Sequence, residues 1–418
     1  MTTVQNGKLE QGMDNNEAGR PESICLLGAT GSIGTSSLQV LRCNPDRYQL
    51  KTVCAGRNWQ RMLEIVREFK PAHAAMADPE AARQLAAAVK AEGLHCEVGA
   101  GEDAVCAAAA LEHDFVIAAI VGAAGLKPAI AALGACRRMG LANKEALVMT
   151  GRLFFAKAKE HGCPILPIDS EHSAIFQALP PVCAEHLGVC DLKAAGVHKI
   201  LLTGSGGPFR ERPLEELPNV KPSEALCHPI WSMGPKITID SSTMMNKGLE
   251  FIEARWLFNA GPDDIEILIH PQSVVHSMVS YIDGAVLAQL GRPDMKTPIA
   301  RALAYPERVV SSVEPLDFTA MGSLTFFKPD FARYPCLKLA IEASCDGQGA
   351  CVILNAVNEV AVEAFLRGRI GYLDIARLVD KMLQRGVPAG FDECSLEDIL
   401  ALDAAVRVQA AKLLEQEF

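Results

Sequence analysis

The sequence predicts an α/β protein in three parts: a parallel sheet covered by helices on both faces, then an α+β domain, then a helical bundle. Three observations carry this reading. A short apolar run near the start breaks into Gly28-Ala-Thr-Gly-Ser-Ile-Gly34 and a helical pattern. Strand and helix patterns then alternate to about residue 167. Beyond residue 336 the apolar periodicity is helical.

Residues 23–27 form the first strand, and the helical pattern after the glycines runs to Arg42. Strand, glycine turn and helix open a nucleotide-binding βαβ unit. A strand at 48–55 ends in Gly56-Arg57-Asn58, and a helix at 59–69 follows. A strand at 72–77, an alanine-rich helix, a strand at 115–120 and a helix at 128–139 begun by Pro128 continue the rhythm. That rhythm argues a parallel sheet with both faces buried, so 22–167 reads as a Rossmann-like dinucleotide-binding domain.

The region 168–303 changes character, with strands expected at 200–202, 236–239, 266–270 and 274–282. Asp283-Gly284 between alternating apolar runs signals a hairpin. An α+β catalytic domain results, with outer strands that offer a dimer surface and a flexible lid at 225–235. Recurrent prolines make 304–335 a linker. Helical patterns at 337–343, 352–367, 372–385 and 396–417 make 336–418 a helical bundle. Residues 1–21 are polar, with Glu10, Asp14 and Glu17 unsuited to a signal or transit peptide, and read as a disordered extension.

Composition sets bounds. A chain of 418 residues holds two or three cores, and 49% hydrophobic with 22% charged residues is ordinary for such a protein. A formal net charge of -10 argues against a nucleic-acid surface but leaves an anionic small substrate open. The fourteen cysteines include no C-x-x-C pair and read as reduced thiols of a cytoplasmic protein. The most apolar window, 115–126, is too short to span a bilayer, so no membrane role is indicated.

Gly28-x-x-Gly31-x-x-Gly34 is a variant of the dinucleotide fingerprint, in which glycines admit a pyrophosphate to a helix N-terminus. A tight turn without ligand is the competing reading. The second strand ends in Arg57 rather than an acid, which suits a 2′-phosphate and favours NADPH over NADH, although a plain surface arginine reads the same way. In Asn143-Lys144-Glu145, the lysine could meet substrate charge and its neighbours a cofactor amide; from the residues alone a solvated helix start is the stronger reading.

Asp169 and Glu171 follow an apolar strand and, in extended chain, point to one side. Two acids so placed repel unless a cation lies between them, which suggests a hard divalent ion. A helix N-cap at Asp169 or Ser170 is the alternative. Glu250 offers a third carboxylate. The glycine-rich loop around Ser205 lacks the Gly-Lys-Ser/Thr of a nucleotide-triphosphate loop and better suits a sugar phosphate held by Ser205, Ser241, Asn246 and Lys247. His228 to Gly234 reads as a lid, stiffened by Pro229 and Pro235 and carrying Trp231 and Met233. His270 and His276 could be metal ligands by type, but in a strand of alternating pattern they read as structural or as supports behind the site, and the turn 291–294 is expected to border the same cleft.

Taken together, Gly-Ala-Thr-Gly-Ser-Ile-Gly (28–34), Ala-Asn-Lys-Glu (142–145), Asp-Ser-Glu-His (169–172), Gly-Ser-Gly-Gly-Pro-Phe-Arg (204–210) and the run 228–250 resemble the 1-deoxy-D-xylulose 5-phosphate reductoisomerase family from residue 24 to the C-terminal helices. The resemblance implies NADPH contacts at Thr30, Gly31, Ser32, Ile33, Gly56, Arg57, Asn58, Asn143, Glu145 and Gly234. It implies a metal, Mg²⁺ or Mn²⁺ with Co²⁺ as a further candidate, on Asp169, Glu171 and Glu250. Substrate contacts are implied at Lys144, Ser170, Ser205, His228, Trp231, Ser241, Asn246 and Lys247, besides Glu171 and Glu250, with Lys144, Glu171 and His228 as catalytic groups. It further implies a homodimer, a small phosphorylated sugar as substrate, and a place in isoprenoid precursor synthesis. Two departures stand out: Arg57 where lysine is frequent, and Pro235 where a basic residue is frequent. The rival readings, a plain NADPH dehydrogenase and a non-catalytic NADP(H) sensor, have no use for three converging carboxylates and a lid.

Overall fold

The structure, a computed structural model, describes residues 20–231, 233–388, 391 and 395–418. Residues 1–19 of the expected extension therefore lie outside the described residues, whereas Arg20 is tied to Asp114 at 3.0 Å. The N-terminal part runs β1 (Glu22–Leu27), α1 (Ser32–Cys43), β2 (Tyr48–Ala55), α2 (Trp59–Phe69), β3 (His73–Met76), α3 (Pro79–Ala91), β4 (Glu97–Ala100), α4 (Glu102–Ala109), β5 (His113–Ala118), α5 (Leu126–Leu133), β6 (Cys136–Leu141), α6 (Lys144–Glu160) and β7 (Ile165–Pro167). The seven strands pair in parallel in the order β4-β3-β2-β1-β5-β6-β7. β5 is buried along its whole length, as a strand covered on both faces must be. The order reverses at β1, and ligands of such sheets bind at that switch point, outside the carboxyl ends of the strands.

Two glycines of the first turn are required by packing. Gly28 has φ +88°, and a Cβ there would lie 2.5 Å from the Ala119 carbonyl oxygen. A Cβ at Gly34 would lie 2.4 Å from the Gly28 oxygen, so its absence lets α1 press onto the strand end. Gly31 differs: the only nearby atom, the Gly28 oxygen, is 3.4 Å from its Cβ position, so packing does not demand a glycine.

The helix expected at 128–139 is corrected: α5 ends at Leu133 and 136–141 is strand β6. Arg137 and Arg138 disguised the strand, because each finds a carboxylate only in the folded protein, Asp114 at 3.2 Å and Glu22 at 2.9 Å. Gly140 lies within β6, where its missing side chain makes room for the Phe115 ring and Ile168, both within 2.8 Å of a Cβ placed there.

The chain continues through α7 (Ser170–Ala178), α8 (Pro181–Ala184), β8 (Val197–Gly204), α9 (Pro222–Ala225), α10 (Pro235–Ser242), α11 (Met245–Leu257), β9 (Ile265–Ile269), β10 (Val275–Tyr281), β11 (Val286–Leu290) and α12 (Lys296–Ala304). The second sheet is mixed, in the order β11-β10-β8-β9, with β8 and β9 parallel and the β10–β11 hairpin antiparallel. The strand expected at 236–239 is instead part of α10. Ile237 and Ile239 alternate as in a strand, but Pro235 in the first turn presets helical φ, and the Thr238 hydroxyl donates back to the Gly234 carbonyl at 2.8 Å.

Residues 305–334 wrap the surface, touching the second sheet where Phe327 bridges Ile269. The bundle follows: α13 (Pro335–Asp346), α14 (Gln348–Leu366), α15 (Asp374–Leu383) and α16 (Leu396–Glu417). α14 is long and apolar enough by composition to cross a membrane, yet it is the mostly buried centre of this bundle. One apolar cluster unites the bundle with Ile239 of α10 and Met245, Leu249 and Ile252 of α11, so the helices that carry the site rest directly on it.

Candidate active site

A cavity of about 510 Å³ opens at the carboxyl ends of β1, β5, β6 and β7 and is bordered by His228, Trp231 and residues 233–236. Its floor holds three acids. Asp169 N-caps α7 and accepts the Glu171 N–H at 3.3 Å, which places Glu171 in the first turn, where Ser170 donates to it. The expectation of an extended chain at 169–171 is thereby corrected; the cap and the acid pair are the same structure. Glu250 comes from the second turn of α11, and one oxygen from each of Asp169, Glu171 and Glu250 lies within 4.8 Å of the others.

Two buried lysines neutralise this cluster in part. The Lys144 nitrogen is 2.8 Å from Asp169, 3.0 Å from Glu250 and 2.9 Å from the Asn246 side-chain oxygen. Lys247 is 2.7 Å from Glu171 and also pairs with Glu250, which Asn246 contacts as well. Burial opposes the charge on Lys144, but Asp169 and Glu250 outweigh it and raise its pKa well above the ordinary value. Burial likewise opposes ionisation of Asp169, and Lys144 and His172 overcome it. Glu171 is not so compensated: burial, then Glu250, push it up to about 7 despite Lys247. Three converging carboxylate oxygens with a charge deficit fit a hard divalent cation, which prefers oxygen donors.

Behind the acids, the fully buried His172 sets its Nε2 2.9 Å from the Glu250 carbonyl oxygen and its Nδ1 3.4 Å from Glu253. Sequence reasoning missed Glu253. Its spacing of three from Glu250 on one helix face was the available signal. Lys236 was missed too, since its pairing with Asp240 at 2.8 Å is an i,i+4 helix contact within a segment read as strand.

Ser205, Ser241, Asn246 and Lys247 line one side of the cavity. Glycines permit this: a Cβ at Gly204 would strike Lys247 at 2.7 Å, and Gly207, at φ +66°, packs against the Ser241 carbonyl. His228 accepts the N–H groups of Ile230 at 3.2 Å and Trp231 at 2.9 Å through Nδ1, so the neutral ring carries its proton on Nε2, 3.2 Å from the Ser205 hydroxyl. Burial lowers the pKa of His228 and favours that neutral form. Trp231 and Met233 face the cavity; Ser232 of the expected lid lies outside the described residues. His276 tilts against Trp231, while His270 stacks on Phe326. Pro293 and Asp294 border the cleft, as expected of that turn.

On the opposite side stand Ser32, Ile33, Asn143, Glu145 and Gly234. Asn143 N-caps α6 and donates to the Gly122 carbonyl at 3.1 Å; Glu145 is buried and pairs with Lys236 at 3.1 Å. Thr30, Gly31, Gly56, Arg57 and Asn58 do not line the cavity; they lie along the same sheet edge, beside the first turn. There Asn58 caps α2, and the Arg57 side chain is 89% exposed, 3.4 Å from Asp78. An uncapped α1 N-terminus, an open face at Gly31 and an exposed guanidinium fit the diphosphate and 2′-phosphate of NADPH.

Sequence models of 1-deoxy-D-xylulose 5-phosphate reductoisomerase match residues 24–151, and models of its C-terminal domains match 165–258 and 290–409. The reductoisomerase of Aeromonas hydrophila is 55% identical over 397 residues, covering 94% of this chain and 99% of its own. That of Shewanella amazonensis is 53% identical over 396 residues, covering 94% and 100%. Among solved structures, a DOX-P reductoisomerase in complex with NADPH, fosmidomycin and magnesium matches with a TM-score of 0.89 at 46% identity, covering 94% of this chain and 99% of that one. The Zymomonas mobilis enzyme in complex with NADPH matches at 0.86 and 44%, covering 94% and 99%. The chain belongs to the 1-deoxy-D-xylulose 5-phosphate reductoisomerase family.

Proposed function

We infer that Asp169, Glu171 and Glu250 hold the Mg²⁺ or Mn²⁺ ion, and the opposite wall the NADPH, in this family's reaction: rearrangement and reduction of 1-deoxy-D-xylulose 5-phosphate to 2-C-methyl-D-erythritol 4-phosphate. The observation that carries the reading is the convergence of three carboxylates, within 4.8 Å, on the floor of a cavity whose other wall is a dinucleotide-binding sheet edge. When bound, the ion supplies Lewis-acid stabilisation of oxyanion charge during the skeletal rearrangement. NADPH supplies the hydride, and the protein's task is alignment.

Ser205, Ser241, Asn246 and Lys247 bind the substrate phosphate, remote from the reacting carbons, where binding energy can be used to orient them. Lys144 and Ser170 meet the substrate hydroxyls, with the Lys144 ammonium turning from the carboxylates it now neutralises. His228 offers its Nε2 proton, and its Nδ1 holds the lid turn so that Trp231 and Gly234 close over substrate and nicotinamide and exclude water. Thr30 to Ile33, Gly56 to Asn58, Asn143 and Glu145 receive the cofactor. The product feeds isoprenoid precursor synthesis in the cytoplasm. A homodimer is supported by the exposed apolar Ile282, Val286 and Leu287 around the edge strand β11. The test is NADPH oxidation, which should require both 1-deoxy-D-xylulose 5-phosphate and a divalent ion; no turnover by folded, NADPH-binding protein with that pair would refute the reading.

A further inference from the structure

We propose that Lys236 is a positioning residue that couples the lid's C-terminal end to the cofactor wall by orienting Glu145. The inference rests on the cofactor reading above and extends it to a residue to which the resemblance assigns no role.

α10 begins where the lid ends, with Gly234 as its N-cap and Pro235 in its first turn. One residue further, the Lys236 ammonium makes two ion pairs of different origin. Asp240, 2.8 Å away, belongs to the same helix, whereas Glu145, 3.1 Å away, stands in the first turn of α6. Glu145 is flanked there by the cap Asn143 and the site lysine Lys144. A buried carboxylate is costly unless a cation or hydrogen-bond donors compensate its charge, and at Glu145 the Lys236 ammonium is such a cation. Lys236 is itself fixed, because the second oxygen of Asp240 accepts from Asn358 of α14 at 2.8 Å. The end of α10 is also pinned, by the Tyr372 hydroxyl on the Ser242 carbonyl at 2.6 Å. The chain of contacts thus runs from the bundle through Asp240 and Lys236 to Glu145 and the cofactor wall. It gives the C-terminal bundle, which among the described residues lends none to the cavity lining, a route into the site. Seating the lid's end and orienting Glu145 become one event, since a single ammonium does both.

The experiment measures NADPH dissociation constants by cofactor fluorescence on the full-length protein, beside KM, kcat and melting temperature. Lys236→Met should weaken NADPH binding about tenfold or more, a loss of ~1.4 kcal/mol, with KM for NADPH rising in step. Lys236→Arg should restore most of it. Glu145→Gln on the Lys236→Met background should cost less than the two single losses combined, since it removes the carboxylate left unpaired. Asn358→Ala should shift binding the same way by a smaller factor. Wild-type NADPH affinity in Lys236→Met, or equal losses in Lys236→Met and Lys236→Arg that track only the melting temperature, would overturn the assignment. Failure of the unmutated protein to bind NADPH would overturn the cofactor reading as well, and so is distinct from failure of Lys236 alone.

Discussion

Lys144 stands between Asp169 and Glu250, its nitrogen 2.8 Å from one carboxylate and 3.0 Å from the other. The first acid caps a helix that follows the parallel sheet, and the second comes from α11, so a lysine of the sheet domain ties together two proposed metal ligands of different origin. Removing either acid should therefore strike the metal and leave the cofactor wall in place. Asp169→Asn and Glu250→Gln are each expected to lower kcat on the order of 10³-fold, the scale of a lost Lewis-acid contribution of several kcal/mol. NADPH dissociation constants should stay within about threefold of the parent, given that neither acid lies on the cofactor side. Turnover near the parent rate would refute the ligand assignment.

The pair behind the ligands predicts a subtler loss. Glu253 and His172, 3.4 Å apart and buried, back Asp169 and Glu250 without entering the cavity lining. Groups that orient metal ligands are worth 10–100-fold in affinity, as a rule of thumb of roughly that size. Glu253→Gln should thus weaken divalent-ion binding by about tenfold or more at constant NADPH affinity. An ion titration followed by calorimetry decides the matter, and unchanged ion affinity would reduce the pair to packing.

How much of this was legible depended on whether a signal was local. The strand at 48–55 and the helices at 59–69 and 396–417 have the expected limits, because the apolar period and the punctuating Asn58 and Ser395 caps lie within each segment. β4 escaped notice, being a short edge strand with no buried face. β6 and α10 were misread because distant partners decide them: Asp114 and Glu22 for the arginines of β6, and Asn358 for Asp240 of α10. The three acids proposed as metal ligands were named from type and motif, and the structure brings them within 4.8 Å of one another. Glu253 and Lys236 were not, since their roles exist only once α6, α7, α10 and α11 meet.

Asp114 allows a pH test away from the active site. Burial raises its pKa, but the N–H and hydroxyl of Ser23, each at 2.8 Å, together with Arg20 and Arg137 hold it at about 2, below the ordinary 3.8. A depressed folded pKa means that stability is contributed in full above the unfolded value and lost as pH falls through the folded one. Asp114→Asn should cost about 1–3 kcal/mol at pH 7, through the hydrogen bonds it weakens. The gap between the two proteins in denaturant unfolding should narrow as pH falls from about 4 toward 2. A gap independent of pH would contradict this account.

Arg57 provides the test of cofactor choice. Its guanidinium is almost wholly exposed just beyond the end of β2, and its ion pair with Asp78 is 3.4 Å long and partly open to solvent. Such a pair contributes little to folding, so the side chain is available to a ligand phosphate at small cost. Arg57→Ala should leave the melting temperature unchanged and narrow the preference for NADPH over NADH about tenfold, mostly by raising KM for NADPH. Arg57→Lys should keep most of the preference, because the charge remains while the planar, two-pronged geometry is lost. If Arg57→Ala weakens NADPH and NADH equally, the arginine is supporting the turn after β2 rather than reading the 2′-phosphate.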